Sequence, residues 1–302
     1  MRLPRLSPRA YQRITLLALL ALVFIIVTGA AVRLTGSGLG CSDWPRCSET
    51  EFVADWGNTH AAIEFINRLI TGLVSIAVAL AVLGSLRRVP RRKDLTQWSL
   101  GLVAGVLAQI LLGGITVRME LTPPIVMAHF LLSIVLVWNA VVLHDRAGHD
   151  GSHGTPVVPT RVLWLGRALV VAAGVVLFAG TVVTGTGPHG GDEDVERLSF
   201  DITEVVRIHS ISAWVFLVLA VVTLFELTRN GAPKDVHRRA MWLVGAIVLQ
   251  GFLGYLQYWT NVPPGLVLLH VLGSVLVWIA AVRLALGMVA RPVEAPARQT
   301  VS

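Results

Sequence analysis

QILLGGITVRMELTPPIVMAHFLLS (residues 109–133) and QGFLGYLQYWTNVPPGLVLLHVLGS (residues 250–274) are two versions of one pattern within a single chain. Gln109, Gly113, His129 and Ser133 recur 141 positions later as Gln250, Gly254, His270 and Ser274, and a Pro-Pro pair precedes each histidine. Four identities at one offset mark an internal repeat, and a repeat constrains the fold before any shorter motif does. Each copy links the end of one apolar run to the start of the next. The chain around them is built of such runs: eight uncharged or nearly uncharged segments, roughly 14–32, 62–86, 98–117, 125–143, 168–184, 205–227, 241–259 and 265–286, reach the length that spans a bilayer. Arg167 separates the fifth from a short apolar stretch before it.

The expected fold is an all-α polytopic membrane protein with eight transmembrane helices arranged as two duplicated four-helix bundles. An even number of spans per half gives both halves the same orientation. VTGAAVRLTGSG from Val27 and VTGTGPHGGD from Val183 echo each other at the ends of the first and fifth spans, which supports the duplication. The organisation read from these runs is an N-terminal tail (1–13), a first bundle (14–144), a polar Gly- and His-rich linker (145–161), a second bundle (162–287) and a C-terminal tail (288–302), whose stretch after Arg291 is expected to be disordered. Arg2, Arg5, Arg9 and Arg13 ahead of an apolar block look like a secretory signal, but the block is too long and lacks a small-residue cleavage pattern, so a retained span is expected.

Of 302 residues, 54% are hydrophobic and only 14% charged, yet the net charge is +7. In a soluble protein that balance would suggest nucleic acid. Here 19 of the 25 Lys and Arg residues fall on one side of the eight-span arrangement, so they act first as topology signals and place both termini in the cytoplasm of a cell membrane. No Lys/Arg–aromatic platform accompanies them, and nucleic acid is excluded as a partner. Membrane lipid is the surrounding medium.

Histidines sort by depth. His144, His149, His153 and His237 fall in segments read as cytoplasmic and His189 in an outer loop, all as solvated residues. His129, His209 and His270 lie inside apolar spans near their outer ends, where an ionisable group is costly and faces a bundle interior or a functional site. His209 and His270, on spans six and eight at similar depth, can face each other across the interior of one four-helix bundle, and paired imidazoles on facing helices are a common way to hold a haem iron. Gly251, Gly254 and Gly273 offer small surfaces for a macrocycle. In the first half the position matching His209 is Asn67, so His129 lacks a second imidazole. Asn67 stands in HAAIEFINRLITG with Glu64 and Arg68; Glu64 can serve as acid, base or charge stabiliser, or simply pair with a cation at the interface. His60 is an interfacial residue or a substitute ligand. The only cysteines, Cys41 and Cys47, share the first outer loop, where a disulfide is chemically permitted, as a staple or as a redox pair.

TGSGLGCSDWPRC, IEFINR, TGTGPHGGD and the two Pro-Pro-to-His segments together resemble the haem A synthase family over nearly the whole chain. The resemblance implies an oxidoreductase that converts the C8 methyl of haem O to a formyl group by successive hydroxylations. It implies haem b as cofactor on His209 and His270, the substrate haem on His129, Glu64 as the catalytic carboxylate, and a disulfide between Cys41 and Cys47. It also implies a supplier of haem O, the protohaem farnesyltransferase (haem O synthase), and an electron-transfer partner. Asn67 departs from the family's Glu-x-x-His-Arg pattern, and an asparagine amide is a poor iron ligand. Two other readings compete: a dihaem b-type electron-transfer cytochrome without substrate chemistry, whose ligand symmetry Asn67 breaks, and a transporter, which would place polar groups near the bilayer centre.

Overall fold

A computed structural model describes residues 5–293. The expected N-terminal Arg2 and the tail from residue 294 onward lie outside the described residues. Eight helices dominate: α1 (Pro8–Leu34), α2 (Thr59–Arg87), α3 (Lys93–Arg118), α4 (Pro123–Ala147), α5 (Thr160–Thr186), α6 (Ile202–Arg229), α7 (Lys234–Trp259) and α8 (Pro264–Gly287). Two two-residue strands, β1 (Thr155–Pro156) and β2 (Val289–Ala290), pair antiparallel. All eight helices are long and apolar enough to cross a membrane. At 24–29 residues they measure about 36–44 Å, more than the hydrocarbon core requires.

Large apolar side chains such as Leu20, Phe24, Leu73, Val218 and Phe225 point outward, whereas the buried contacts are made by Ala18, Leu22, Ala81, Leu102, Val137, Ala140 and Ala281. Alanines and other small residues at the buried contacts let helices pack closely among themselves, while many large apolar side chains are left facing lipid. α1 packs on α2 and α4, and α3 bridges α2 and α4; α5, α6, α7 and α8 form the corresponding ring, and the halves meet where α8 touches α1 and α4 and where α4 touches α5. At that seam the Trp278 indole N–H donates to the Ile134 carbonyl (3.1 Å).

The Pro-Pro pairs start the histidine-bearing helices. Pro123 and Pro264 occupy the first helical position, where a missing N–H costs nothing and the fixed φ favours the helix. The turns ahead of them are alike: Glu120 and Leu121 (φ 49° and 57°) correspond to Asn261 and Val262 (φ 59° and 56°). The Leu121 amide bonds to the Thr116 carbonyl (2.9 Å) as the Val262 amide does to Gln257 (2.8 Å). Each turn thus delivers a histidine six residues, or about 9 Å, into its helix.

Three expectations need correction. α5 runs unbroken through Arg167, whose guanidinium lies over the Trp164 ring at 4.5 Å and so remains in the helix at modest cost. His144 is not a solvated loop residue: it sits in α4, half-buried, with Nδ1 3.0 Å from the Thr15 hydroxyl. His189 also has fixed partners, since its Nε2 reaches the Val262 carbonyl (2.9 Å) while its own carbonyl accepts from Arg33 (2.5 Å), tying the loop after α5 to α1 and to the α7–α8 turn. At the opposite end, Asp94 receives Arg92 (2.6 Å) and Arg146 (3.2 Å), and Asp145 receives Arg291 (3.1 Å), so part of the basic excess is held in ion pairs.

Candidate functional site

Glu64 lies in the second turn of α2, a helix started by Asn58, whose side chain accepts from the His60 and Ala61 amides. The carboxylate is 6% exposed. Its Oε2 accepts from the Cys41 amide (2.7 Å), and its Oε1 from Arg68 Nε (3.1 Å) and Nη2 (2.5 Å). Every hydrogen bond to it is donated, the pattern of an ionised carboxylate. Arg68 does not reach out to water; its guanidinium also donates to the carbonyls of Asp43 and Arg46, both at 3.0 Å, and pins the loop between α1 and α2 onto α2. Cys41 and Cys47 are joined by a disulfide that closes this loop.

The loop fits because two glycines let it approach. A Cβ on Gly40 would stand 2.3 Å from the His60 carbonyl carbon, and one on Gly114 of α3 would stand 2.6 Å from the Trp44 ring. Arg118 then donates to the Trp44 carbonyl (2.8 Å). Cys41, Cys47, Ala54, Ala61 and Phe65 form a small apolar cluster under the loop, apart from the main core. This end of the first half is therefore capped.

Asn67 and Glu64, three residues apart, serve different neighbours: the Thr28 hydroxyl of α1 donates to Asn67 Oδ1 (2.8 Å). His60 is exposed and paired with the Ser37 hydroxyl (3.0 Å). His129 is set by α3: its carbonyl accepts from Gln109 Nε2 (3.0 Å), and its ring passes Gly113, whose Cβ would lie 3.4 Å from Cε1. The second half repeats this with Gln250 and the His270 carbonyl (2.8 Å) and with Gly254 at 3.5 Å from the His270 ring. Of the other two glycines expected to make room, Gly251 has open space beside it and Gly273 lies under the Gln250 amide.

His209 on α6 and His270 on α8 come together with ring centres 6.5 Å apart and planes at 74°. Two imidazoles sharing one metal at about 2.0–2.1 Å each, with about 1.1 Å from ring centre to nitrogen, stand about 6.3 Å apart. The observed separation would leave room for one metal ion between the two rings. Both Nδ1 atoms are buried without a partner among the described residues, as is that of His129. Gly180 of α5, which the sequence reading passed over, makes the room: its Cβ would sit 3.2 Å from His209 Cε1. The residues present therefore fit a haem between α6 and α8. Arg197 closes this end of α5 by donating to the carbonyls of Thr184 and Gly187 (2.5 and 2.9 Å), and burial holds its guanidinium below the usual arginine range. Thr28, Gly40, Trp44 and His189 all lie in stretches the sequence singles out, but their roles here were not legible, because their partners lie on other elements.

The class is a multi-pass helical membrane protein with imidazoles gathered near one end of its spans. A family model described as cytochrome oxidase assembly protein matches residues 12–58 and 54–282, and the chain belongs to that family. Among similar curated proteins, a haem A synthase of Azorhizobium caulinodans is 26% identical over 91% of this chain and 93% of its own length. Haem A synthases of Bradyrhizobium diazoefficiens and Halalkalibacterium halodurans are each 25% identical, covering 85% and 80% of this chain and 85% and 83% of their own lengths.

Proposed function

We propose that this chain is an oxidoreductase making haem A from haem O, oxidising the C8 methyl of the substrate to a formyl group by successive hydroxylations. The observation that carries the reading is Glu64, a buried carboxylate fixed by three donated hydrogen bonds beneath a disulfide-closed loop, in the half that carries His129. In this reading the first half (14–144) binds the substrate haem through His129. Asn67, engaged by Thr28, adds no second imidazole, and His60, exposed and bound to Ser37, does not replace it. Glu64 then acts as a fixed negative charge in a water-poor place, where stabilising positive charge at the reacting carbon is worth far more than in water. The capping loop, held by Arg68 and the Cys41–Cys47 bond, keeps that carboxylate oriented and excludes solvent.

The second half (162–287) binds haem b through His209 and His270. When bound, that group supplies one-electron transfer. The charge asymmetry supports the reading that both termini are cytoplasmic, with the haem sites toward the outer face of the cell membrane. The protohaem farnesyltransferase, haem O synthase, is the expected supplier, and a separate electron-transfer partner takes part.

Pigment extraction and mass analysis test this, on membranes containing the chain beside a haem O source. Haem A is expected with the wild type and lost at least tenfold with Glu64→Ala, while bound haem b persists. Wild-type protein that binds haem but leaves haem O unchanged, with oxygen and electrons supplied, would put the dihaem electron-transfer reading in its place.

A further inference from the structure

Several buried polar atoms without partners fall into two matched sets. Among the described residues they include Gln109 Oε1 and His129 Nδ1 in the first half and Gln250 Oε1 and His270 Nδ1 in the second, two donor–acceptor sets related by the offset of 141. In each set the same glutamine already holds the same histidine, because its Nε2 donates to that histidine's carbonyl at 3.0 Å in the first half and 2.8 Å in the second. The glycine one turn further along the glutamine's helix lets the imidazole pass, at 3.4 and 3.5 Å. Leaving a buried acceptor and a buried donor unpaired is costly, so two such pairs in register call for an account.

An imidazole that ligates a metal through one nitrogen needs an acceptor for the N–H on the other; that acceptor fixes the tautomer and raises ligand basicity. We propose that Gln109 and Gln250 are positioning residues for the haem-ligating histidines, with Gln250 Oε1 accepting the His270 Nδ1–H and Gln109 Oε1 accepting the His129 Nδ1–H. This rests on the reading of these histidines as haem ligands. Each glutamine then has two tasks: the amide nitrogen clamps the histidine's backbone, and the amide oxygen directs Nε2 toward the iron. The two halves are not held alike. Gln109 Nε2 also donates to the Ser133 hydroxyl (2.5 Å), whereas the Ser274 hydroxyl turns to the Val271 carbonyl (2.8 Å), leaving Gln250 with one fixed bond and more freedom to turn.

The test compares full-length wild type with Gln250→Leu and Gln250→Glu, purified with bound haem. The readouts are haem content, midpoint potential and the near-infrared charge-transfer band of the oxidised haem, which moves with the imidazolate character of the axial ligands. Leucine removes both tasks, while glutamate keeps an accepting oxygen, removes the donor to the His270 carbonyl and, when ionised, adds a negative charge that makes it the stronger acceptor. The expected result is a raised potential and a band shifted toward weaker imidazolate character in Gln250→Leu, with Gln250→Glu at or beyond wild type in the opposite direction. Two variants altered alike would reduce Gln250 to a backbone clamp, and two unaltered variants would assign the Nδ1–H to a carbonyl one turn back in α8. Either result overturns the proposal. Should Gln250→Leu fail to assemble, the direction of the band in Gln250→Glu decides alone. Absence of haem from the wild type would instead remove the ligand reading on which the proposal stands.

Discussion

At Arg68 the balance of interactions can be counted. Its guanidinium serves the Glu64 carboxylate and the carbonyls of Asp43 and Arg46 together, so its removal leaves a buried charge with only the Cys41 amide and frees the loop. Hydrogen bonds to charged groups contribute about 1.5–3 kcal/mol each, and breaking a buried pair costs more than making it gains. Arg68→Ala is expected to destabilise the protein by about 2–3 kcal/mol, read as a lower unfolding temperature in detergent. It should also speed reduction of the Cys41–Cys47 bond, read by thiol labelling. An unchanged labelling rate would mean that the loop is held without Arg68. The sequence made Glu64, Asn67 and Arg68 visible as polar residues in an apolar run. It did not reveal that Glu64 takes the Cys41 amide or that Asn67 takes the Thr28 hydroxyl, since both bonds join residues more than 20 positions apart.

Along the helices, glycine spacing governs how rings fit. Gly180 on α5 would place a Cβ 3.2 Å from the His209 ring, tighter than an ordinary contact, whereas Gly254 on α7 would place one 3.5 Å from the His270 ring, within the normal range. Alanine in a helix interior gains roughly 0.5–1 kcal/mol over glycine from backbone entropy. Gly254→Ala is therefore expected to keep its haem and unfold at the same or a higher temperature. Gly180→Ala should displace the His209 ring and lower haem content or shift the potential; equal behaviour of the two variants would refute this. Gly254 was legible because it belongs to the repeat. Gly180 was not, because the match between the first and fifth spans is short and the first half places Phe24 near the corresponding level. The turns were half legible: the Pro-Pro pairs predict helix starts, but nothing in Glu120-Leu121 or Asn261-Val262 announces consecutive left-handed residues without glycine.

At the scale of the whole molecule, specific bonds among the described residues join the halves, the Gly38 amide to the Gly191 carbonyl (2.7 Å) among them. Trp278 donates to the Ile134 carbonyl at the α4–α8 seam, and His189 links the α5 end to the α7–α8 turn while its carbonyl holds Arg33. Trp278→Phe keeps most of the apolar contact and loses one buried hydrogen bond, so about 1 kcal/mol of stability is expected to go, seen as a lower unfolding temperature with haem content retained. Loss of haem together with stability would show that the seam also shapes the second-half site. The number of spans, their rough limits and the two related histidine segments were determined by the sequence alone. A span depends only on its own apolar length against the bilayer thickness, and a repeat is visible wherever two stretches agree. Only the tertiary structure decided that His209 and His270 stand 6.5 Å apart, that a disulfide loop grips the carboxylate of Glu64, and that a glutamine holds each repeated histidine. Those facts depend on which helix faces which across the bundle, and periodicity within one helix carries no record of its neighbour.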